Sequence, residues 1–169
     1  MMVVRSIEKY GSDVLRKRAE RIEDVDGKIL AILRDMKETM HAFSGVGLAG
    51  NQIGIPLRLI TFIHPETKED LALLNPEIVA RGEEKEIGEE GCLSIPEVYA
   101  KVERCQKVVV KGLDERGREV LLEAEGFLAR ILQHEIDHLD GILFVDHLSP
   151  SRRLLLGNKL KKIARGSGD

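Results

Sequence analysis

His134 and His138 lie four residues apart with Glu135 beside the first, forming an H-E-x-x-H segment. On a helix, residues four apart share a face, so both imidazoles can reach one ion. Glu135 is rotated by about 100° from His134 and can stand beside that ion without binding it. A general base for water activated by a divalent ion belongs in that position. The same spacing also occurs on plain surface helices. Against that reading, the two histidines continue a partly apolar face through Phe127 and Ile131, which turns them inward. A catalytic metal takes three protein ligands and keeps one position open, and Cys92 is the candidate third. It sits in Glu89-Glu90-Gly91-Cys92-Leu93-Ser94-Ile95-Pro96-Glu97, where a neighbouring glycine and the lack of alternation mark a positioned loop residue. Cys105 reads instead as a small buried hydrophobe, the ordinary fate of a free cysteine. A thiolate and two imidazoles suit Zn²⁺, Fe²⁺, Co²⁺ or Ni²⁺, and ligand softness alone does not choose. His41, His64 and His147 lack such spacing and read as structural or surface residues.

A second stretch, Gly45-Val46-Gly47-Leu48-Ala49-Gly50, matches G-x-G-x-x-G. A dinucleotide site needs those glycines after a strand and opening a helix. Here they follow a helical pattern, and Asn51 to Pro56 cannot sustain a long helix after them, so the nucleotide reading fails. Glycines there still let backbone approach a ligand closely and leave N–H and C=O groups to pair with an extended peptide. A helix end followed by a tight turn accounts for Gly45 but less well for Gly47. Gln52 is either an amide donor aimed at an oxyanion or a buried structural glutamine.

The elements that must position these groups follow from periodicity. Ile29, Leu33, Met36, Met40 and Phe43 make one face of a helix over Lys28–Phe43, with Asp26 as N-cap and Gly45 as stop. Leu57–Ile63 and Leu71–Leu74 read as strands, with Pro56, Pro65 and Pro76 at turns or ends. Residues 81–90 read as a solvated loop whose charge run is surface. Val98–Val102, Lys107–Leu113 and Arg118–Ala124 read as strands, the last two joined by a hairpin turn at Asp114–Gly117. A helix is expected over Phe127–Leu139, closed by Gly141, then a strand over Gly141–Val145. Pro150 opens a basic C-terminal helix over about 150–165, interrupted at Gly157-Asn158. The fold class is α+β, with mostly antiparallel sheet.

The 169 residues fit one domain, expected to span 1–169. At 43% hydrophobic and 33% charged the composition is globular, and a net charge of −3 advertises neither nucleic acid nor membrane as partner. Neither a membrane association nor direct DNA binding is expected. Two cysteines make no disulfide framework, and Met1–Arg21 has no apolar leader core, so a cytoplasmic location is expected.

Three segments together, Gly45-Val46-Gly47-Leu48-Ala49 with Gln52, Glu90-Gly91-Cys92-Leu93-Ser94, and Gln133-His134-Glu135-Ile136-Asp137-His138-Leu139 with Gly141, resemble the three motifs of bacterial peptide deformylases, in order and over essentially the whole chain. The resemblance implies antiparallel sheets around a central helix bearing both histidines. It implies removal of the N-formyl group from the initiator methionine of nascent chains. Carried over by position, Cys92, His134 and His138 bind one divalent ion, usually Fe²⁺ with zinc, nickel or cobalt as substitutes. Glu135 shuttles the proton, and Gln52 with the backbone N–H of Leu93 stabilises the oxyanion. Backbone at Gly45, Val46 and Gly47 and near Glu90 and Gly91 holds the peptide. The methionine side chain needs an apolar pocket, and Ile131, one helical turn before His134, is a candidate wall. One position departs: family members usually carry alanine where Gly50 stands, from which altered loop flexibility is expected.

Two rivals share part of this pattern. A zinc peptidase shares H-E-x-x-H, although its third ligand is usually Glu or His. A metal-stabilised, non-enzymatic ribosome-binding module would need a fourth protein ligand, for which Cys105 is the only other thiol. The tail carries Arg152, Arg153, Lys159, Lys161, Lys162 and Arg165, with Leu156, Leu160 and Ile163 at helical spacing. It is expected to pack on the domain with a solvated basic face. The alternative role is docking on the phosphate-rich ribosome.

Overall fold

The chain is described by a computed structural model covering residues 3–166; the expected bounds of 1–169 include residues 1–2 and 167–169, which lie outside the described ones. The amphipathic pattern of the N-terminal half forms helix α1 (Gly27–Ala42), and Asp26 caps it by accepting the Ile29 N–H at 3.0 Å. Its exit differs from expectation. Ser44, at φ +57°, takes the left-handed turn rather than Gly45, while the Gly45 N–H still reaches the Met40 carbonyl at 2.9 Å.

Strands β1 (Gly47–Ala49), β2 (Leu59–Ile63), β3 (Asp70–Arg81), β4 (Lys85–Cys92), β5 (Ile95–Cys105), β6 (Lys107–Leu113) and β7 (Glu119–Glu125) follow. They form an antiparallel five-stranded sheet in the order β1-β2-β3-β6-β7 and a separate β4-β5 hairpin. Helix α2 (Phe127–Leu139) runs as expected, and two short helices, α3 (Pro150–Leu155) and α4 (Gly157–Ala164), end the described chain.

Three expectations are corrected here. Residues 85–92 are a strand rather than a loop; their cross-strand partners are Glu86↔Arg104 and Glu89↔Lys101, so the pairing carries charges where a buried strand would carry apolar residues. Strand β3 continues through Pro76 because the register shifts there and Asn75 adopts φ +51°, a bulge that needs no ladder bond from proline. No strand forms over Gly141–Val145. Gly141 turns at φ +76° beneath the Arg16 carbonyl, and a 3-10 turn follows at Phe144–His147.

The five-stranded sheet is buried on both faces near β1 and β2. Leu48 and Leu59 pack with Ile29, Leu33, Met36 and Met40 of α1 on one face. Ala49, Ile60 and Phe62 pack with Ala129, Leu132, Ile136 and Leu139 of α2 on the other. A third cluster, including Val98, Val102, Phe144, Leu160 and Ile163, seats the hairpin and α4 against each other. The tail is thus two helices, broken at Leu156, with Leu160 and Ile163 of α4 buried, Leu154 and Leu155 of α3 exposed, and Arg152, Lys159, Lys161, Lys162 and Arg165 exposed.

Asn51 ties these layers together. Its Nδ2 donates to the carbonyls of Lys17 (2.9 Å), His138 (2.9 Å) and Val14 (3.3 Å), joining the N-terminal segment to the end of α2. Asn51→Ala is expected to cost about 1–3 kcal/mol, the desolvation of carbonyls left without a donor. Asn51→Asp should cost more, because it sets a carboxylate against three carbonyl oxygens. Urea unfolding measures both; an Asn51→Asp variant as stable as the parent would contradict this reading.

Candidate metal centre and active site

Helix α2 is buried along nearly its whole length, so every polar side chain it carries needs a partner. Gln133 finds one in backbone, accepting the Cys105 N–H at 3.0 Å and donating to the Cys105 carbonyl at 2.9 Å. His134 and His138 find each other and Cys92, which closes β4. Their Nε2 atoms stand 3.3 Å apart, and Cys92 Sγ lies 3.3 Å from His138 Nε2. Two nitrogens each bound about 2.0–2.1 Å from one tetrahedral ion stand about 3.3 Å apart, so the three donors fit a single divalent ion. Among the described residues no fourth His, Cys, Asp or Glu joins this group. Cys105 lies elsewhere in the core, its Sγ accepting from Lys85 Nζ at 3.1 Å, which removes the closed four-ligand site.

Glu90 orients the first histidine. Its Oε1 accepts from His134 Nδ1 at 2.8 Å, which leaves Nε2 as the lone-pair nitrogen facing Cys92. The same carboxylate takes two bonds from Arg104, at 2.8 and 2.9 Å, and one from Arg130 at 2.7 Å. Burial alone would raise the Glu90 carboxyl, but the Arg104 guanidinium and His134 hold it well below the usual range. Arg104 also reaches Asp137 at 2.6 Å, and Asp137 reaches His147 at 2.8 Å. From the sequence Glu90 is expected to act through its backbone, in a surface charge run. The structure buries its side chain at 4% exposure. Arg104 and Arg130 were missed, although two signals pointed to them. Arg104 lies two residues from the inward Val102 on β5, and Arg130 lies one helical turn before His134.

Glu135 is buried, and among the described residues its Oε1 has no hydrogen-bond partner. Burial pushes its carboxyl up to about 7, while an ion at the neighbouring donors would act in the opposite direction. Gly47 explains itself here: a Cβ on it would stand 2.5 Å from Glu135 Oε2. Gln52 accepts the Ala49 N–H through Oε1 at 3.0 Å, so its Nε2 is turned towards Cys92 Sγ (3.4 Å) and Ser94 Oγ (3.1 Å). Leu93 occupies the turn between β4 and β5, and a Cβ on Gly45 would meet its Cδ1 at 2.9 Å. Gly50 is packed rather than loose. A Cβ there would stand 2.6 Å from both the Ile55 and Leu57 carbonyls, so the departure from alanine reflects close backbone approach, not flexibility.

A cleft of about 500 Å³ opens over these groups, lined by Gly45, Val46, Gly47, Gln52, Glu90, Gly91, Cys92, Leu93, Ile131, His134 and Glu135. His138 lies behind them at 1% exposure. Of the other histidines, exposed His41 pairs with Asp70 at 2.7 Å, and His64 accepts backbone N–H groups of its own turn. Glu90→Gln should weaken metal binding about 10–100-fold, the usual loss when a ligand's outer partner is removed. Competition with a chelator measures it, and unchanged affinity would show that His134 does not depend on Glu90 for its orientation.

Known proteins resemble this chain in sequence and fold. The family model described as polypeptide deformylase matches residues 4–154. The peptide deformylase of Pseudothermotoga lettingae is 44% identical over 165 residues, covering 98% of this chain and 95% of that protein. The crystal structure of peptide deformylase from Thermus thermophilus superposes with a TM-score of 0.91 at 40% identity, over 96% of this chain and 99% of that one. The Ehrlichia chaffeensis enzyme in complex with actinonin gives 0.91 at 39% identity, over 95% and 98%. With the family model matching most of the chain and these relatives covered almost end to end, the chain belongs to the polypeptide deformylase family.

Proposed function

We infer that the protein is a metal-dependent hydrolase that removes the N-formyl group from the N-terminal methionine of newly synthesised polypeptides. The observation that carries this reading is the convergence, in one cleft, of an open Cys-His-His donor set, a buried carboxylate and an amide donor. The donor atoms of Cys92, His134 and His138 would hold one divalent ion. When bound, that ion supplies Lewis-acid chemistry, lowering the pKa of water and polarising a carbonyl. The proposed ion in the cell is Fe²⁺, supported by family resemblance, with Zn²⁺, Ni²⁺ or Co²⁺ as substitutes.

Glu135 takes the proton of the attacking water and returns it to the leaving amine. Its position suits this because Gly47 leaves the carboxylate room and no protein group occupies Oε1. Gln52 Nε2 and the Leu93 N–H donate to the oxyanion as it forms. Strand β1 pairs with β2 on one side only, so backbone at Gly45, Val46 and Gly47 is placed to pair with an incoming peptide as an added strand, with Glu90-Gly91 across the cleft. Ile131 walls the methionine pocket. A formyl carbon bears only hydrogen, and the crowding of Glu135 on Gly47 favours it over larger acyl groups.

The residues described by the family model act as one catalytic unit, with the basic tail appended. The cytoplasm is the proposed location, because nascent formylated chains are there; no described helix is long and apolar enough to cross a membrane. The exposed basic residues of α3 and α4 make the ribosome a proposed partner. Its loss should follow Lys159→Glu, Lys161→Glu and Lys162→Glu together in a ribosome co-sedimentation assay, with unchanged binding ruling the tail out.

Formate release from a formyl-Met peptide, with anaerobically purified protein and its metal quantified, tests the reading; cleavage of the unformylated peptide instead would make it a peptidase. Glu135→Gln should abolish turnover while metal stays bound, and retained activity would remove Glu135 from its role. Gln52→Ala should lower the rate about 10²–10³-fold, the usual loss of one oxyanion donor. A loss below about tenfold would leave Gln52 a structural residue.

A further inference from the structure

The metal donors come from two elements: His134 and His138 from α2, Cys92 from the end of β4. Sheet hydrogen bonds join β4 to β5 but not to α2, so side chains must set the distance between strand and helix. Arg130 crosses that gap. One helical turn before His134, it donates from Nη1 to Glu90 Oε2 (2.7 Å), to the Val102 carbonyl (2.9 Å) and, at the limit, to the Gly88 carbonyl (3.4 Å). Its Nη2 donates to the Glu86 carbonyl at 2.8 Å. Gly88 and Val102 are paired residues on the two strands, so one guanidinium grips both. The residue is buried, and its contact with Gly88 is close: a Cβ on Gly88 would stand 3.0 Å from Arg130 Cζ and Nη2.

We propose that Arg130 is a positioning residue for the metal centre, its guanidinium seated against Gly88 and fastening β4, and with it Cys92 and Glu90, to the helix that carries the two histidines. Arg104 is a second tie between hairpin and helix, running from β5 to Glu90 of β4 and Asp137 of α2. Its side-chain bonds go to Glu90, Asp137 and His147, whereas those of Arg130 also hold carbonyls of both strands. Charge points the same way. Glu90 pairs with both guanidiniums while Asp137 shares Arg104, so loss of Arg130 leaves Glu90 and Asp137 to a single arginine beside His134. The planar fork matters as much as the charge, since it serves a carboxylate and strand carbonyls together.

The inference rests on the metal reading above, and its test separates the two. Zn²⁺ and Co²⁺ affinities are measured by chelator competition well below the melting temperature, on parent, Arg130→Met, Gly88→Val and the double variant. Each single variant should bind the ion about tenfold more weakly or worse, by the usual cost of losing an outer partner. Gly88→Val should add less than about twofold in the Arg130→Met background, because the guanidinium it displaces is already gone. A purely structural arginine would lower the melting temperature and leave the affinity of the folded protein unchanged. Affinity of Arg130→Met within about threefold of the parent, or additive losses in the double variant, overturns the proposal. Should Arg130→Met fail to fold, Gly88→Val, which keeps the arginine, decides alone. A parent protein that binds neither ion would sink the metal reading itself.

Discussion

A buried helix that must carry charged and ligating groups is the constraint on which the rest of this structure depends. Helix α2 fills the space between the five-stranded sheet and the β4-β5 hairpin, yet it holds Arg130, Gln133, His134, Glu135 and His138 away from water. Buried polar groups without partners cost far more than they return, so the neighbouring elements are arranged around their hydrogen bonds. Gln133 grips β5 as a strand would. Glu90 spends both carboxylate oxygens on His134, Arg104 and Arg130. Among the described residues the buried side-chain atoms left without a partner include Glu135 Oε1, the atom the chemistry needs, beside Asn51 Oδ1 and His138 Nδ1. The Nε2 and Sγ donors face one another.

The glycines of the site follow from the same crowding. Gly47 lies under the Glu135 carboxylate, Gly45 against Leu93, Gly88 against Arg130 and Gly91 against the Tyr99 ring. Each lets backbone or a charged side chain come closer than a Cβ allows. None of these four needs a left-handed conformation. Their role is space, which the G-x-G-x-x-G pattern disguises as a phosphate loop.

Elements with strong periodicity were legible from the sequence. Both long helices lie where their apolar faces put them, β6 has the expected bounds, and the Asp114–Gly117 turn joins β6 to β7. The three donors were legible as well, because H-E-x-x-H and a glycine-flanked cysteine are local patterns. Strand β4 was not. Its residues pair on one side only and expose Ile87, so charge alternation stood where an apolar repeat would have marked a strand. Glu90 was hidden in that run, since nothing local tells a buried carboxylate from an exposed one. Its partners, Arg104 and Arg130, are 14 and 40 residues away. The turn at Ser44 was likewise hidden, because glycine at the next position looked the better candidate for a left-handed residue.

An open, three-liganded metal centre is the central claim, and X-ray absorption of the metal-loaded protein tests it most directly. One sulfur at about 2.3 Å and two nitrogens at about 2.0–2.1 Å, with a light-atom ligand from solvent completing the shell, is the predicted result for zinc. Two sulfurs, or none, would place Cys105 in the shell or Cys92 outside it and would contradict the account.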